Sequence, residues 1–253
     1  MPIQDALRQH ARQAATRALA PYSRTPTGVA ILLSDGTVVT GSRVESASYP
    51  LTIPALQAAW ARTRTAGRSD FVAVAASRPL APAELAMLAE DTRRRWSTQD
   101  AEIAVVDNAS LHAPTKELTP YIETPDDPMQ AALAAANRAH APASNFPVGC
   151  VMETEIGWVA GANVEHAMDW TRGLCAERVA LASTVTGGAG AISRIWLACP
   201  LAPGATPCGG CRQLLNEHAP DAEIVIWNGD DAPIRTTPGD LLPGAFSADR
   251  LPS

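Results

Sequence analysis

Two short runs hold the residue types most capable of chemistry: Cys175-Ala176-Glu177-Arg178 and Pro207-Cys208-Gly209-Gly210-Cys211-Arg212. Together they supply three soft thiolates and one carboxylate. Three protein ligands are what a catalytic zinc takes when its fourth position is left for water, whereas a closed structural site wants a fourth. Cys208 and Cys211 stand three apart at the expected start of a helix, so both can face one point, where free backbone N–H groups and the helix dipole favour thiolate. Cys175 likewise precedes an apolar helical pattern, Val179, Leu181 and Ala182. Two helix starts converging on one metal is the geometry expected. Cys150 and Cys199 sit in apolar strand patterns and are read as core thiols. His166 is the sole histidine near these runs; with the ligand set complete, it is read as a hydrogen-bonded structural residue.

The elements that must position these side chains come in two sets. A shift of 121 residues aligns Ala20-Pro21-x-Ser23-x-x-Pro26-x-Gly28 with Ala141-Pro142-x-Ser144-x-x-Pro147-x-Gly149. Gly41-x-x-Val44-Glu45-x-Ala47 returns as Gly161-x-x-Val164-Glu165-x-Ala167, and Pro79-Leu80-Ala81-Pro82 as Pro200-Leu201-Ala202-Pro203. Asp100-Ala101-Glu102-Ile103 repeats as Asp221-Ala222-Glu223-Ile224. Each copy reads as an Ala-rich helix (4–20 and 128–141), a Gly-punctuated hairpin, then helices alternating with β-branched strands. In the second copy strands are expected near 148–153, 156–161, 193–199 and 222–228, and helices near 175–186 and 209–218. The order implies an α/β fold, a mixed β-sheet flanked by helices in each copy. Residues 113–127 carry Pro114, Pro120 and Pro125 with Asp126-Asp127, a composition that suits a linker without regular structure. The expected domains are therefore 1–112 and 128–253. Arg93-Arg94-Arg95 is read as a solvated helix end.

The duplication provides an internal control. At the same shift Cys175 becomes Pro54, Glu177 becomes Leu56, Cys208 becomes Met87 and Cys211 becomes Glu90. The metal chemistry is missing from the first copy as a unit, which is not how small buried hydrophobes drift.

Cys-Ala-Glu followed by Pro-Cys-x-x-Cys resembles the cytidine deaminases of the three-cysteine type, a zinc deaminase class. The resemblance extends to Asn145-Phe146-Pro147-Val148-Gly149, Gly161-Ala162-Asn163-Val164-Glu165, Cys211-Arg212-Gln213 and Leu241-Leu242-Pro243-Gly244-Ala245-Phe246. It implies two tandem three-layer α/β/α domains, a degenerate and inactive one first and a catalytic one second. It further implies one Zn2+ per chain in the second domain, held by Cys175, Cys208 and Cys211, with Glu177 as the proton shuttle for hydrolysis at C4 of cytosine. Asn163 and Glu165 then bind the ribose hydroxyls, Phe146 packs on the pyrimidine, and Ala176 also contacts the nucleoside. Arg178 offsets the negative charge of three thiolates, Gln213 supports the site from behind, and Phe246 completes a site across a domain or subunit boundary. After Glu165 the family has Asn-Ala-Ser-Tyr, but this chain reads His166-Ala167-Met168-Asp169-Trp170, with Trp170 standing in for the tyrosine.

Charge and composition bound the partners. A net charge of −6 argues against a polyanion-binding surface, and polynucleotide editing is disfavoured by the want of a basic, aromatic strand-binding stretch. No apolar run approaches the roughly 20 residues that span a bilayer. An odd five cysteines suit a reducing, cytoplasmic setting. The expected function is deamination of cytidine and 2'-deoxycytidine in pyrimidine salvage by a homodimer with a pseudo-tetrameric arrangement of domains. A deaminase of a modified nucleoside, nucleoside antibiotic or nucleotide, and a zinc-stabilised scaffold, are the alternatives.

Overall fold

Val29, Ile31 and Leu33 alternate with Ala30 and Leu32 in a run of six fully buried residues, so this strand must be covered on both faces. The computed structural model, which describes residues 1–91, 93–166, 169–229 and 232–247, shows how. The first half contains α1 (Ile3–Ala15), β1 (Gly28–Leu33), β2 (Thr37–Ser42), α2 (Ala55–Thr65), β3 (Phe71–Ala76), α3 (Pro82–Ala89), β4 (Trp96–Thr98), β5 (Ile103–Val106) and β6 (Lys116–Glu117). Leu7 and Ala11 of α1 cover Ala30, Leu32 and Val38 on one face, while Leu56 of α2 and Met87 and Leu88 of α3 cover Val29, Ile31 and Val39 on the other. The strand order is β4-β5-β3-β1-β2-β6.

The second half repeats the plan with β7 (Tyr121–Ile122), α4 (Pro128–Ala136), β8 (Gly149–Thr154), β9 (Gly157–Ala162), α5 (Ala176–Gly187), β10 (Ile192–Ala198), α6 (Gly209–His218), β11 (Glu223–Trp227), β12 (Ile234–Thr236) and α7 (Pro238–Leu241). Its sheet order is β12-β11-β10-β8-β9-β7, with α4 on one face and α5 and α6 on the other. Both halves are thus mixed sheets between helical layers. The two cores join: Val44, Ile53, Ala58 and Ala61 of the first half pack into the cluster that holds Val179, Leu181 and Leu214.

Several expectations are corrected. α1 and α4 stop at Ala15 and Ala136, short of 20 and 141, because Leu19 and His140 leave the helical path to bridge Val44 and Val164. The stretch 113–127 is not free of regular structure: β6 pairs with β2, and β7 pairs with β9, so it edges both sheets. Two-residue strands between prolines leave no periodicity to read. Arg94 is not a solvated cation, since it bonds Asp91 at 2.5 Å, donates to the Ser69 carbonyl and stands 5.3 Å over the Phe71 ring.

The most consequential correction concerns register. Gly209, the first residue of α6, would fall on Leu88 at a shift of 121, yet α3 already begins at Pro82. The N-caps are Cys208 for α6 and Ala81 for α3, so Ala81 and Glu84 occupy the places of Cys208 and Cys211, not Met87 and Glu90. Glu84 there closes a capping interaction, accepting from the Ala81 N–H at 2.8 Å and pairing with Arg78. β4 follows α3, and the strand that matches β11 differs in direction: β5 runs antiparallel to β3, whereas β11 runs parallel to β10. Pro54 and Leu56 do keep the positions of Cys175 and Glu177, at the N-cap and second residue of α2.

Gly161 shows how closely β9 meets the helix that bears Glu177. A Cβ there would lie 2.4 Å from the Ala180 nitrogen and 2.5 Å from the Ala176 oxygen. Backbone cannot yield as a side-chain tip can. Gly161→Ala is therefore expected to cost about 3 kcal/mol in a urea titration and to push α5 off the sheet. The same variant should lose turnover disproportionately, and unchanged stability and activity would refute this reading of the contact.

Candidate metal and catalytic centre

Cys175 is the N-cap of α5 and Cys208 the N-cap of α6, each in extended backbone (φ −65°, ψ 159° and φ −64°, ψ 163°). Neither side chain caps its own helix, which leaves the first-turn N–H groups facing the sulfurs. Cys211, one turn into α6, completes a triangle in which all three sulfurs lie within 4.8 Å of one another, with Cys175 Sγ and Cys208 Sγ 3.8 Å apart. Zinc–sulfur bonds of about 2.3 Å in a tetrahedron put neighbouring sulfurs ~3.8 Å apart. The donor set and its spacing fit zinc.

The electrostatics divide the three thiols. Hydrogen bonds from Cys175 and Cys211, helped by the backbone N–H groups of Cys211 and Gly210, pull the Cys208 thiol far below its ordinary range. The same sulfur hydrogen bonds push Cys175 and Cys211 up, so the first negative charge settles on Cys208. Glu177, in the first turn of α5, is 5% exposed, and burial pushes its carboxyl up to about 7. It shares a hydrogen bond with Cys211, which places it beside the sulfurs as a free acid and base. Arg178 donates from Nη2 to the Leu51 carbonyl at 3.1 Å, and its Nε is buried with no protein partner. An orphaned, buried guanidinium N–H is a donor in want of an acceptor.

The residues expected to face a nucleoside form one hydrogen-bonded clip. Asn163 accepts from the Val148 N–H and donates to the Phe146 carbonyl, both at 2.8 Å. Glu165 accepts from the Ala143 and Ser144 N–H groups at 2.8 and 3.2 Å and from the Ser144 hydroxyl, which itself accepts from the Phe146 N–H at 3.0 Å. The loop carrying Phe146, 37% exposed, is thereby fixed. Glu45 makes the corresponding bonds to Tyr22 and Ser23 in the first half, so this carboxylate has a structural duty in both copies. Ala176 is fully buried at the start of α5. Gln213 clips Phe246 at two points, donating to its carbonyl at 2.6 Å and accepting its N–H at 3.2 Å, within the same half. Residues 248–253 lie outside the described residues.

Trp170, 64% exposed, belongs to a 3-10 turn that the structure ties to the first half: Arg172 pairs with Glu90 at 3.0 Å and donates to the Ala83 carbonyl at 2.9 Å. Ala167 and Met168 lie outside the described residues. His166 is not among the clustered ligands; its Nδ1 is 3.1 Å from Glu90, at ion-pair distance but off a hydrogen-bonding angle.

The two junction loops are related by the duplication. Glu217 of α6 accepts from the Ser46 hydroxyl at 2.7 Å and the Ala47 N–H at 2.8 Å, as Glu90 faces His166 across the other side. Sequence reasoning missed that the first half reaches the centre. Leu51 takes the Arg178 bond, and its Cδ2 would stand 3.0 Å from a Cβ on Gly210. The signal was present: the Asn-Ala-Ser-Tyr run lost after Glu165 survives after Glu45 as Ser46-Ala47-Ser48-Tyr49.

The cytidine and deoxycytidylate deaminase zinc-binding region matches the chain twice, over residues 2–92 and 122–227. A cytidine deaminase of Mycobacterium tuberculosis is 39% identical over 125 residues, 48% of this chain and 88% of that protein. The chain belongs to the cytidine deaminase family. A cytidine deaminase of Halalkalibacterium halodurans is 35% identical over 124 residues, 47% of this chain and 92% of its own length. The crystal structure of cytidine deaminase from Burkholderia pseudomallei is 38% identical, covering 47% of this chain and 96% of that chain, with a TM-score of 0.43. In this deaminase-family chain, the three cysteines and Glu177 are brought together in the second half, while the first half carries Pro54, Leu56, Ala81 and Glu84 at the matching helix starts.

Proposed function

We propose that the chain hydrolyses cytidine and 2'-deoxycytidine to uridine and 2'-deoxyuridine, releasing ammonia, with one zinc ion held by Cys175, Cys208 and Cys211. The observation that carries the reading is a buried Glu177 carboxyl hydrogen-bonded beside three sulfurs on two helix N-termini. When bound, zinc supplies a Lewis acid that makes hydroxide available near neutral pH. Glu177 takes a proton of the attacking water and delivers it to N3 of the ring, then takes the proton of the new C4 hydroxyl and hands it to the departing amine. A carboxyl poised near 7 can do both. Arg178, anchored by Leu51 of the first half, offsets the charge of the thiolates. Phe146, held by Asn163 and the Glu165 clip, packs on the pyrimidine, and Asn163 and Glu165 turn polar atoms to the ribose.

The first half is the inactive domain: it lacks every metal ligand and instead walls the centre with Leu51. Two such chains forming a homodimer would bring four deaminase folds together, a small-molecule enzyme with two zinc sites. Among the described residues no helix is long and apolar enough to cross a membrane.

The departure at His166–Trp170 favours a second reading, in which the same chemistry acts on a modified cytosine nucleoside. Cytidine, 2'-deoxycytidine, cytidine monophosphate and cytosine assayed side by side separate the two. Ammonia release from both nucleosides, and little from cytosine or the monophosphate, is expected; inertness toward both nucleosides would defeat the primary reading.

A further inference from the structure

The junction between the halves holds an open cavity of about 200 Å³ that shares only Glu165 with the proposed nucleoside site. Its floor is the Trp60–Phe71 stack, with centroids 4.4 Å apart, and its polar lining is Arg64, Arg93, Arg94, His140 and His166 together with the carboxylates Glu90, Asp91 and Glu165. The duplication again supplies a control, because the same junction exists on the other side. There the places of Arg64 and His140 are held by Val185 and Leu19, and that of Trp60 by Leu181. One junction carries aliphatic side chains at these three places, and the other an aromatic ring, a guanidinium and an imidazole.

Of the cavity's cations Arg94 has an acid of its own, Asp91, and Arg64 does not. Arg64 Nη2 stands 2.9 and 3.0 Å from the two ring nitrogens of His140, only one of which can accept, and no carboxylate pairs with it among the described residues. Burial, then Arg93 and Arg94, hold the Arg64 guanidinium below its ordinary range against the opposing pull of Asp91. The carboxylates that line the cavity have partners of their own: Asp91 pairs with Arg94, Glu90 with Arg172 through one oxygen while the other faces His166 Nδ1 at 3.1 Å, and Glu165 accepts from Ser144 and two backbone N–H groups. Arg93 is exposed, with no side-chain ion pair among the described residues. A half-buried guanidinium facing open space is stabilised most by an anion with several oxygens, which its planar fork grips in pairs.

We propose that this cavity is an anion site for a phosphate group, held by Arg64 and His140 with the exposed Arg93. At about 200 Å³ it falls below the ~300–1,000 Å³ of pockets that enclose whole ligands, so it takes the phosphate end rather than a complete nucleotide. A free phosphate and a phosphate monoester share this chemistry.

Isothermal titration of the full chain with inorganic phosphate, at ionic strength held constant with chloride, tests it. One saturable phosphate per chain is expected. Arg64→Val, which installs the residue of the other junction, should weaken binding at least tenfold while cytidine turnover shows the variant to be folded. Arg235→Ser, at an arginine whose side chain is 68% exposed elsewhere, should bind as the parent does. Should Arg64→Val fail to fold, Arg93→Ser provides the second reading, with a weakening of at least threefold. Thymidine 5'-monophosphate, whose base is no substrate for deamination, separates the sources: Arg64-dependent binding shows that a monoester is taken, and binding of phosphate alone shows a free-anion site. No saturable phosphate uptake, or uptake equal in the parent and both cavity variants, overturns the proposal.

Discussion

Glu177→Gln should keep its zinc and lose its catalysis. The substitution preserves the shape of the side chain and removes its capacity to accept a proton, so turnover of cytidine is expected to fall on the order of 10³-fold, within the range that general acid–base groups contribute. Because Glu177 is not one of the three clustered sulfur donors, zinc measured by atomic spectroscopy should remain at one per chain. Stability gives an independent sign. Folding raises this carboxyl from 4.5 to about 7, chiefly by burial, so the folded state binds the proton more tightly than the unfolded one. Its contribution is fully present below pH 4.5 and is lost as pH rises through 7. In chelator-treated protein the Gln variant should therefore lose less stability than the parent between those values. Parental turnover in this variant would remove Glu177 from the mechanism.

The centre was legible in the sequence because its chemistry lies in residue types with few other uses. Three cysteines and a glutamate at two helix starts need no tertiary information to be recognised. Glu165 was legible in a different way, since Glu45 repeats it in a half without metal ligands, and the shared clip to Ser23 or Ser144 explains why. The register was not legible after Pro82. Identities at 79–82 and at 100–103 hold the shift of 121 on either side of a segment where α3 starts early and β5 reverses direction, and identity in flanking loops says nothing about where a helix begins between them. The contact of Arg178 with Leu51 was likewise hidden, because it joins residues 127 apart through a backbone carbonyl that any residue possesses. Here the surviving Ala47-Ser48-Tyr49 run was the available hint, and its meaning depends on which half it packs against.

Removing Cys208 is the sharpest test of the metal centre, and the burial of the three ligands says why it should be chosen over its neighbours. Cys211 is fully buried, so its loss would leave a cavity and confuse folding with metal binding. Cys208 is exposed, and it is also the sulfur on which the other two and the backbone N–H groups concentrate negative charge. Cys208→Ala therefore removes one of the three sulfurs at the smallest structural cost. A chain of this size buries its core without metal, so the denaturation midpoint of the chelator-treated protein should match that of similarly treated parent. Zinc affinity should drop at least ~100-fold, since even outer partners of metal ligands are worth 10 to 100-fold. After dialysis the variant should hold little zinc and release no ammonia from cytidine. Cys150→Ala is the companion experiment. That thiol lies fully buried in β8, opposite Leu197 of β10, and burial keeps it protonated, so the variant should lose stability by about 1 to 2 kcal/mol while retaining its zinc. If both variants retain one zinc per chain, the metal is held by other residues and the three sulfurs are merely neighbours.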